Sequence, residues 1–363
     1  MGFLKQNVAI DLGTATVLVC VGKKGVVLKE PSIVAVKEGT RDVVAIGDDA
    51  RAMIGRAPDD ITIVKPIKKG VISSFTITKK MILYFLNKAV KNPLKKIFQP
   101  DVIICIPCKT TNVERRAVEQ ATLEAGAQRV FLVEEPLAAA VGAGLDISRP
   151  SGHMIVDVGG GTTDIAVISY ESIVASKSVK VGGADFDEAI KNYVKRTRNL
   201  MIGDTTAEMI KIAVGCLYEG VRNDAVDVHG SDMLSGLPAE HSINSQEIME
   251  SLITTAMPIL DGIRAVLEET PPELAADIFT KGIVLTGGGS LISGFDELIH
   301  NPTLHLLYSS LHSLIGIIPN FSASKSGSCF VLEPYRYIFT SGLNVFTSND
   351  ADIVMQNMKQ NRS

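Results

Sequence analysis

Residues 154–168 read MIVDVGGGTTDIAVI, and residues 8–21 near the start of the chain read VAIDLGTATVLVCV. Both stretches run from an apolar strand into Asp, an apolar residue and Gly, and then through Thr into a second apolar strand. A repeat of this kind indicates that the chain consists of two related halves. The sequence therefore predicts two lobes built on one plan, with the two Gly-Thr turns facing a cleft between them.

Each of the two turns has the residues that a phosphate chain requires. A Gly-rich turn aims consecutive backbone N–H groups at one point, and the missing Cβ lets an anion approach closely. Thr adds a hydroxyl donor, whereas an Asp before the turn would repel phosphate and is better suited to hold Mg²⁺, directly or through water. One Asp-x-Gly turn is more often only the end of a strand, but two copies between apolar strands favour a nucleoside triphosphate site.

A third Gly-rich turn, at residues 287–290, follows the apolar strand predicted at residues 283–285. A nucleoside could lie there against bare backbone at a helix N-terminus, although a flexible loop is the alternative. The chain contains neither G-x-x-x-x-G-K-[ST] nor a G-x-G-x-x-G that opens a helix. The phosphates are therefore expected to be held by hairpins from both lobes.

Alternating strand and helix patterns between these turns predict an α/β fold. The predicted strands cover residues 8–10, 16–21, 102–106, 129–133, 154–156, 165–168 and 283–285. The predicted helices cover residues 78–89, 112–126, 186–198, 206–214 and 245–269, with Thr78, Asn112 and Ser245 as N-caps.

Composition limits the classes of function. A length of 363 residues allows two domains, and a net charge of −4 gives no reason to expect a nucleic-acid partner. Of five cysteines, Cys105 and Cys108 have C-x-x-C spacing but end an apolar strand, so buried structural thiols are favoured over a redox or zinc site, and a reducing cytoplasm is expected. No signal peptide is visible, and the longest apolar run, residues 304–318, is too short to span a membrane.

Several segments besides the three turns carry a specific resemblance. The chain is similar to the MreB/Mbl family of bacterial actin homologues, within the actin-like ATPase superfamily, almost without interruption from residue 7 to residue 299. The segments are KEPSIVA at 29–35, AIGDDARAMIGR at 45–56, VEEPLAAA at 133–140, SGLP at 235–238 and ETPPELAAD at 269–277. The resemblance implies an actin-like (ribonuclease H-like) α/β fold of two related lobes with an ATP cleft between them.

The resemblance also implies domain bounds. Residues 1–147 would form the first lobe, with a small insert at about 31–76, and residues 148–299 the second lobe, with an insert at about 185–245. Residues 300–363 depart from the family pattern, where elements closing the first lobe are expected. This tail is either a lineage-specific ending or the product of a shifted reading frame. A smaller departure is Ala184, where the family usually has Asp; here an Asp follows at position 185.

Site residues follow from the resemblance position by position. Asp11 and Asp157 would organise Mg²⁺ and its waters, Glu135 would position the attacking water, and Thr162 would assist it. Without the resemblance, Glu134 and Glu135 would be taken for a solvated helix N-terminus. The expected nucleotide contacts are Asp11, Gly13, Thr14, Ala15, Thr16, Asp157, Gly159, Gly160, Gly161, Glu208, Met209, Ile210, Lys211, Gly287, Gly288, Gly289, Ser290 and Leu291.

The implied function is that of a cytoskeletal ATPase with slow ATP hydrolysis. Its subunits would form filaments under the cytoplasmic membrane that organise cell-wall synthesis and cell shape, with RodZ, MreC and MreD as partners. Leu94, Ile97 and Phe98 lie beside lysines in a short loop and would enter the anionic inner face of the membrane, unless they are tucked inward. The alternative is a monomeric ATPase of the superfamily, such as a small-molecule kinase or a chaperone-type ATPase.

Overall fold

The computed structural model describes residues 7–40, 42–90 and 99–300 of the chain. Its strands, in chain order, are β1 (Asn7–Leu12), β2 (Thr16–Val21), β3 (Val26–Pro31), β4 (Val34–Lys37), β5 (Val43–Ile46), β6 (Ile61–Val64), β7 (Ile67–Lys68), β8 (Val71–Ile72), β9 (Asp101–Ile106), β10 (Arg129–Glu134), β11 (His153–Val158), β12 (Thr163–Ser169), β13 (Ser172–Val179), β14 (Leu200–Met201), β15 (Ala225–Asp232), β16 (Pro238–Asn244) and β17 (Ile283–Thr286). The α-helices are α1 (Asp48–Ala52), α2 (Phe75–Ala89), α3 (Asn112–Glu124), α4 (Glu135–Gly142), α5 (Gly183–Arg198), α6 (Asp204–Val214), α7 (Ser245–Glu269), α8 (Pro272–Lys281) and α9 (Phe295–His300).

Two central sheets repeat one topology. In the first, with strand order β10-β9-β1-β2-β3, β1 to β3 form an antiparallel meander, and β9 lies parallel to β1. In the second, with order β13-β12-β11-β17, β11 to β13 form the meander, and β17 lies parallel to β11. The sequence repeat at residues 8–21 and 154–168 is thus a repeat of structure, and the predicted α/β class is confirmed.

The inner strands of each central sheet are mostly buried because they are apolar on both faces. One face of the first sheet packs on α2 and α3, with Phe85 and Met81 fully buried against it. One face of the second sheet packs on α5 and α7, where Phe186 is fully buried. These two cores define the first and second lobes.

Helix α4 lies between the lobes and contacts both sheets. Ala139 and Ala140 pack on the second sheet against Ile155 and Ala166, although α4 directly follows a strand of the first sheet. Ala138 packs on the first sheet, beside Leu18 and Cys20. The small side chains of α4 allow this close approach from both sides.

Each lobe carries a small three-stranded sheet. The first has the order β5-β4-β6 and packs on α1, and the second has the order β14-β15-β16 beside α6. They fall within the insert ranges predicted at 31–76 and 185–245, whose bounds remain predictions. In the described part of the chain, no helix combines the length and apolar character needed to cross a bilayer.

The three predicted N-caps differ from the structure. Helix α2 begins at Phe75 after Ser74, so Thr78 is a buried residue within the first turn instead of its N-cap. Thr111, not Asn112, caps α3, and Asn244, not Ser245, caps α7. In each case the cap lies outside the apolar stripe that reveals the helix, so the stripe does not identify the capping residue.

Candidate nucleotide-binding site

The two Gly-Thr turns meet at the floor of the cleft between the lobes. A Cβ added to Gly160 would lie 2.5 Å from the Cβ of Ala15, and one added to Gly161 would lie 2.7 Å from Cγ2 of Thr14. No real Cβ fits at such distances, so only Gly allows the second turn to lie against the first. The cleft above them is lined by both turns, by Glu135 and by Gly287 and Gly288.

The third Gly-rich turn closes the same floor from the side of β17. Gly287 has φ +83°, and a Cβ there would lie 2.4 Å from Oδ1 of Asp157. Gly287 and Gly288 line the cleft. Gly289 and Ser290 are buried beneath it, and the Ser290 hydroxyl donates a hydrogen bond of 2.7 Å to the carbonyl of Gly287. Leu291, by contrast, is exposed.

Two aspartates occupy equivalent positions, one at the end of β1 and one at the end of β11. Asp11 pairs with Cys105 of β9, and Asp157 pairs with Thr286 of β17, so both carboxyls reach the cleft floor. Burial raises the pKa of Asp11 to about 6. Burial, and then the charge of Asp11, raises the pKa of Asp157 to about 7. Two buried carboxyls with raised pKa values are groups that a divalent cation would stabilise in their charged form.

Glu135 begins α4 and also lines the cleft, with Pro136 fixing the start of the helix. Burial, followed by the charges of Asp164, Asp11 and Asp157, raises the pKa of its carboxyl well above the usual value. Its neighbour Glu134 points elsewhere and forms an ion pair of 2.5 Å with Arg115. The structure therefore separates the two glutamates that the sequence alone treats alike.

Thr162 is buried and lines the cleft, as Glu135 does. The strand that follows, β12, adds Asp164, which is not among the predicted site residues. Asp164 lies directly opposite Asp157 in the β11–β12 pairing. Its Oδ1 accepts a hydrogen bond of 3.0 Å from the backbone N–H of Cys108 in the other lobe. Burial raises the pKa of Asp164.

Cys105 and Cys108 are both free and buried, as the sequence predicts. Burial raises the pKa of both thiols, which opposes the thiolate form that redox chemistry and metal binding need. Among residues 7–40, 42–90 and 99–300, no group of three or more His, Cys, Asp or Glu side chains is arranged to hold a metal by itself.

The four residues predicted on α6 point in different directions, because successive helix residues are about 100° apart. Ile210 is fully buried in the core of the second lobe, and Met209 is exposed to solvent. Nζ of Lys211 donates a hydrogen bond of 3.0 Å to the carbonyl oxygen of Gly183 and forms an ion pair of 2.8 Å with Oδ1 of Asp187. Glu208 forms an ion pair of 3.3 Å with Arg51 of the first lobe. Glu208 and Lys211 thus share a side of α6 that contacts other elements of the protein, whereas the Ile210 side chain faces the core. None of these four α6 residues is among those that line the cleft.

A turn between β7 and β8 also reaches the site, although the sequence analysis does not identify it. Gly70 lines the cleft, and its backbone N–H donates a hydrogen bond of 3.2 Å to the Thr14 hydroxyl. Short strands around a Lys-Gly pair are a local signal for a hairpin, but that signal does not reveal a partner 56 residues away.

Other parts of the prediction fall outside the described residues. These are the proposed membrane contacts Leu94, Ile97 and Phe98 and the divergent tail, apart from His300. Asp185, which follows Ala184, accepts a hydrogen bond of 2.9 Å from the N–H of Gly182. That turn therefore has an aspartate contact despite Ala184.

The fold and the site define an actin-like protein with a nucleotide cleft between two related lobes. Residues 5–311 match the family model described as MreB/Mbl protein. The chain belongs to this family.

Relatives and solved structures agree with that assignment. The chain is 48% identical over 295 residues to cell shape-determining protein Mbl of Bacillus cereus, covering 81% of this chain and 88% of the relative. It is 44% identical over 306 residues to cell shape-determining protein MreB of Escherichia coli K12, covering 83% and 88%. The ADP-bound crystal structure of MreB5 of Spiroplasma citri superimposes with a TM-score of 0.82 at 33% identity, covering 98% of each chain. The AMPPNP-bound structure of that protein gives a TM-score of 0.80 at 34% identity, covering 97% of this chain and 99% of the other.

Proposed function

We propose that the chain binds ATP with Mg²⁺ in the cleft, hydrolyses it slowly, and assembles into filaments beneath the cytoplasmic membrane that organise cell-wall synthesis. The observation that carries the proposal is the direct contact between the two Gly-Thr turns, Gly160 on Ala15 and Gly161 on Thr14. This contact creates one anion site from both lobes. MreB5 of Spiroplasma citri, similar over nearly the whole chain, has been solved with ADP and with AMPPNP.

The phosphates would be held by backbone N–H groups of residues 13–16 and 159–161 and by the Thr14 hydroxyl. Asp11 and Asp157 would hold Mg²⁺ through its waters, since crowded carboxyls with raised pKa are stabilised by a cation. When bound, Mg²⁺ neutralises charge on the phosphates. Of the α6 residues, Glu208 and Lys211 are the stronger candidates for nucleoside contact, because the Ile210 side chain is in the core.

Hydrolysis of a phosphoanhydride depends mainly on positioning the water and stabilising charge. Glu135 would orient the attacking water and accept its proton, and its raised pKa makes the carboxylate a stronger base than an ordinary glutamate. The Thr162 hydroxyl would hold the same water.

Membership of the MreB/Mbl family, whose relatives here are cell shape-determining proteins, supports self-association of this chain. This membership favours a filament protein over a small-molecule kinase or a chaperone-type ATPase. Anionic lipid at the inner membrane face, contacted through Leu94, Ile97 and Phe98, and RodZ, MreC and MreD belong to the same proposal.

The test is to incubate the purified chain with anionic liposomes, with and without Mg-ATP, and to examine the pellet by negative-stain microscopy. We expect filaments on the lipid only with nucleotide. Phosphate release from Glu135→Ala should be slower by about 10²-fold, since a positioned base contributes roughly this much. ATP binding, measured with a fluorescent analogue, should be retained.

Glu134→Ala is the matched control, because Glu134 neighbours Glu135 but pairs with Arg115 outside the cleft. Equal loss of hydrolysis in both variants would refute the role of Glu135. Wild-type protein that binds ATP but stays monomeric with lipid would refute the filament proposal, and a protein that binds no nucleotide would refute the site itself.

A further inference from the structure

The turn between β7 and β8 reaches across the cleft. Nζ of Lys69, a residue of the first lobe, donates hydrogen bonds of 3.1 Å to Oδ1 of Asp185 and of 3.1 Å to the carbonyl of Lys180. Both acceptors belong to the second lobe. Opening the cleft would therefore break two bonds of one side chain.

The β7–β8 turn also contacts both Gly-Thr turns, at residues 13–16 and 159–162, which are called the first and second phosphate turns from here on. The N–H of Gly70 donates to Thr14 of the first lobe. A Cβ on Gly70 would lie 3.3 Å from Cγ2 of Thr162 in the second lobe and 2.7 Å from Cγ of Pro107. A ligand that rearranges either threonine would therefore meet the backbone of this turn.

Asp185, which accepts the hydrogen bond from Lys69, is also linked to the second phosphate turn. The second oxygen of Asp185 accepts from the N–H of Gly182. Gly182 lies so close to the second phosphate turn that a Cβ on it would be 2.7 Å from the carbonyl oxygen of Gly159 and from the backbone N of Gly161. Contacts thus run from Thr14 through the β7–β8 turn and Asp185 to the second turn.

The backbone at Lys69 indicates that its position is enforced. Lys69 has φ +49° and Gly70 has φ +74°, so both lie in the left-handed region that suits a two-residue hairpin turn. Lysine rarely adopts this conformation, whereas Gly, Asn and Asp do. A strained residue is retained where the surrounding contacts fix it.

Two other ion pairs cross the cleft with the same polarity. Arg51 contacts Glu208 at 3.3 Å, and Lys65 contacts Asp204 at 3.8 Å. In every cross-cleft ion pair found among the described residues, the cation is on the first lobe and the anion on the second. The oppositely charged edges of the two lobes attract each other over several ångströms, and salt weakens this attraction.

We propose that Lys69 and Asp185 form a clasp that holds the lobes closed and slows the release of bound nucleotide. The clasp rests on the proposed nucleotide site, and both residues are positioning residues that act through lobe closure. Of the three cross-cleft pairs, this one is connected to both phosphate turns, so it is expected to have the largest effect on release.

The test compares wild type, Lys69→Asp, Asp185→Lys and the exchanged double variant. The dissociation rate of a fluorescent ATP analogue is measured by stopped flow with Mg²⁺ at 50 and 500 mM NaCl. Each single reversal should speed release by about two- to fivefold at low salt, the range of a partly exposed ion pair. The double variant should release nucleotide more slowly than either single variant, because the ion pair is restored. It should stay faster than wild type, because the bonds to the Gly182 N–H and the Lys180 carbonyl are not restored. The single variants should show a smaller salt effect than wild type.

Lys37→Asp is the matched control, because Lys37 pairs with Asp60 inside the first lobe and is similarly exposed, at 56% against 51% for Lys69. If both single variants release nucleotide at the rate of Lys37→Asp, the clasp is overturned. Nucleotide binding by wild type would still support the proposed function in that case. No binding by any variant, wild type included, would refute the proposed function. If a reversal prevents folding, Lys69→Gln removes the charge at similar length and should still speed release.

Discussion

At the scale of single residues, the site depends on glycines that no other residue can replace. Gly160→Ala would place a Cβ 2.5 Å from the Cβ of Ala15, so the two phosphate turns would be forced apart. We expect nucleotide affinity to fall at least about tenfold, a change of roughly 1.4 kcal/mol. Equilibrium titration with a fluorescent ATP analogue measures it.

Gly203→Ala is the control for this substitution, because a Cβ at Gly203 meets nothing within 4 Å and its φ is not positive. Its affinity should equal that of wild type. Equal affinity in all three proteins would contradict the close contact between the turns.

The crowded aspartates predict an unusual pH dependence of stability. In the unfolded chain an Asp has a pKa near 3.9, whereas Asp11 and Asp157 have values of about 6 and about 7 when folded. Between these values the folded state binds more protons, so the free energy of unfolding of the nucleotide-free protein should fall as pH rises from about 4 to about 7. Thermal unfolding at several pH values tests this.

Other groups also titrate in this window, so a variant is needed to isolate the aspartates. Burial lowers the pKa of His153, which acts in the opposite direction. Asp157→Asn should flatten the profile and raise the melting temperature at pH 8. A melting temperature at pH 8 that does not exceed that of wild type would contradict the pKa assignment.

Whether a site residue can be predicted from the sequence depends on how far along the chain its interaction partner lies. The Asp-x-Gly-Thr turns are local, so the sequence is sufficient to find them. Asp164 and Lys69 act through partners 56 and 116 residues away, and no local pattern contains that information. The resemblance predicts Ile210 as a nucleotide contact together with Glu208 and Lys211, whereas helical geometry turns the Ile210 side chain into the core.

At the scale of elements, the central strands and the cores of the helices could be predicted from apolar periodicity, but helix starts could not. Thr111 accepts from the N–H of Glu114, and the Glu114 carboxylate accepts from the N–H of Thr111, which is a capping box. The sequence predicts Asn112 as the cap instead, because Asn is also a good capping residue and is adjacent to Thr111. Side-chain chemistry alone does not distinguish them.

A pair of substitutions separates these two assignments. Thr111→Ala removes the cap and should lower the free energy of unfolding by about 1 kcal/mol. Asn112→Ala changes an exposed residue inside the first turn and should be neutral within about 0.5 kcal/mol. Urea unfolding measures both, and a larger loss for Asn112→Ala would mean that the helix begins one residue later.

At the scale of the whole molecule, α4 explains how chemistry and lobe geometry are coupled. Glu135 begins this helix at the cleft, and the alanines that follow pack on both central sheets. A change in lobe angle must therefore move α4 against at least one sheet, and Glu135 with it. The position of the proposed base then depends on closure, which is the condition that a nucleotide-dependent filament requires.

The surface of the second insert suggests where subunits could meet. The tip of the β15–β16 hairpin exposes Leu234 at 84% and Leu237 at 64%, with Met233 beside them. Adjacent exposed apolar side chains of this kind are typical of protein contact sites. We therefore predict that Leu234→Asp raises the concentration needed for filament formation at least about tenfold, because a charge at an apolar contact costs well over 1 kcal/mol. Nucleotide binding and the melting temperature should be unchanged, since Leu234 has little packing to lose.

Val113→Asp is the control for this prediction, because Val113 is 79% exposed but lies in the first turn of α3, where an acidic residue is favourable. Sedimentation across a range of protein concentrations gives the threshold for each variant. If Leu234→Asp assembles at the wild-type concentration, the hairpin tip is not a subunit contact. If both variants lose filament assembly to the same degree while still binding ATP, the loss is caused by the added negative charge. That charge is the only change that the two substitutions share.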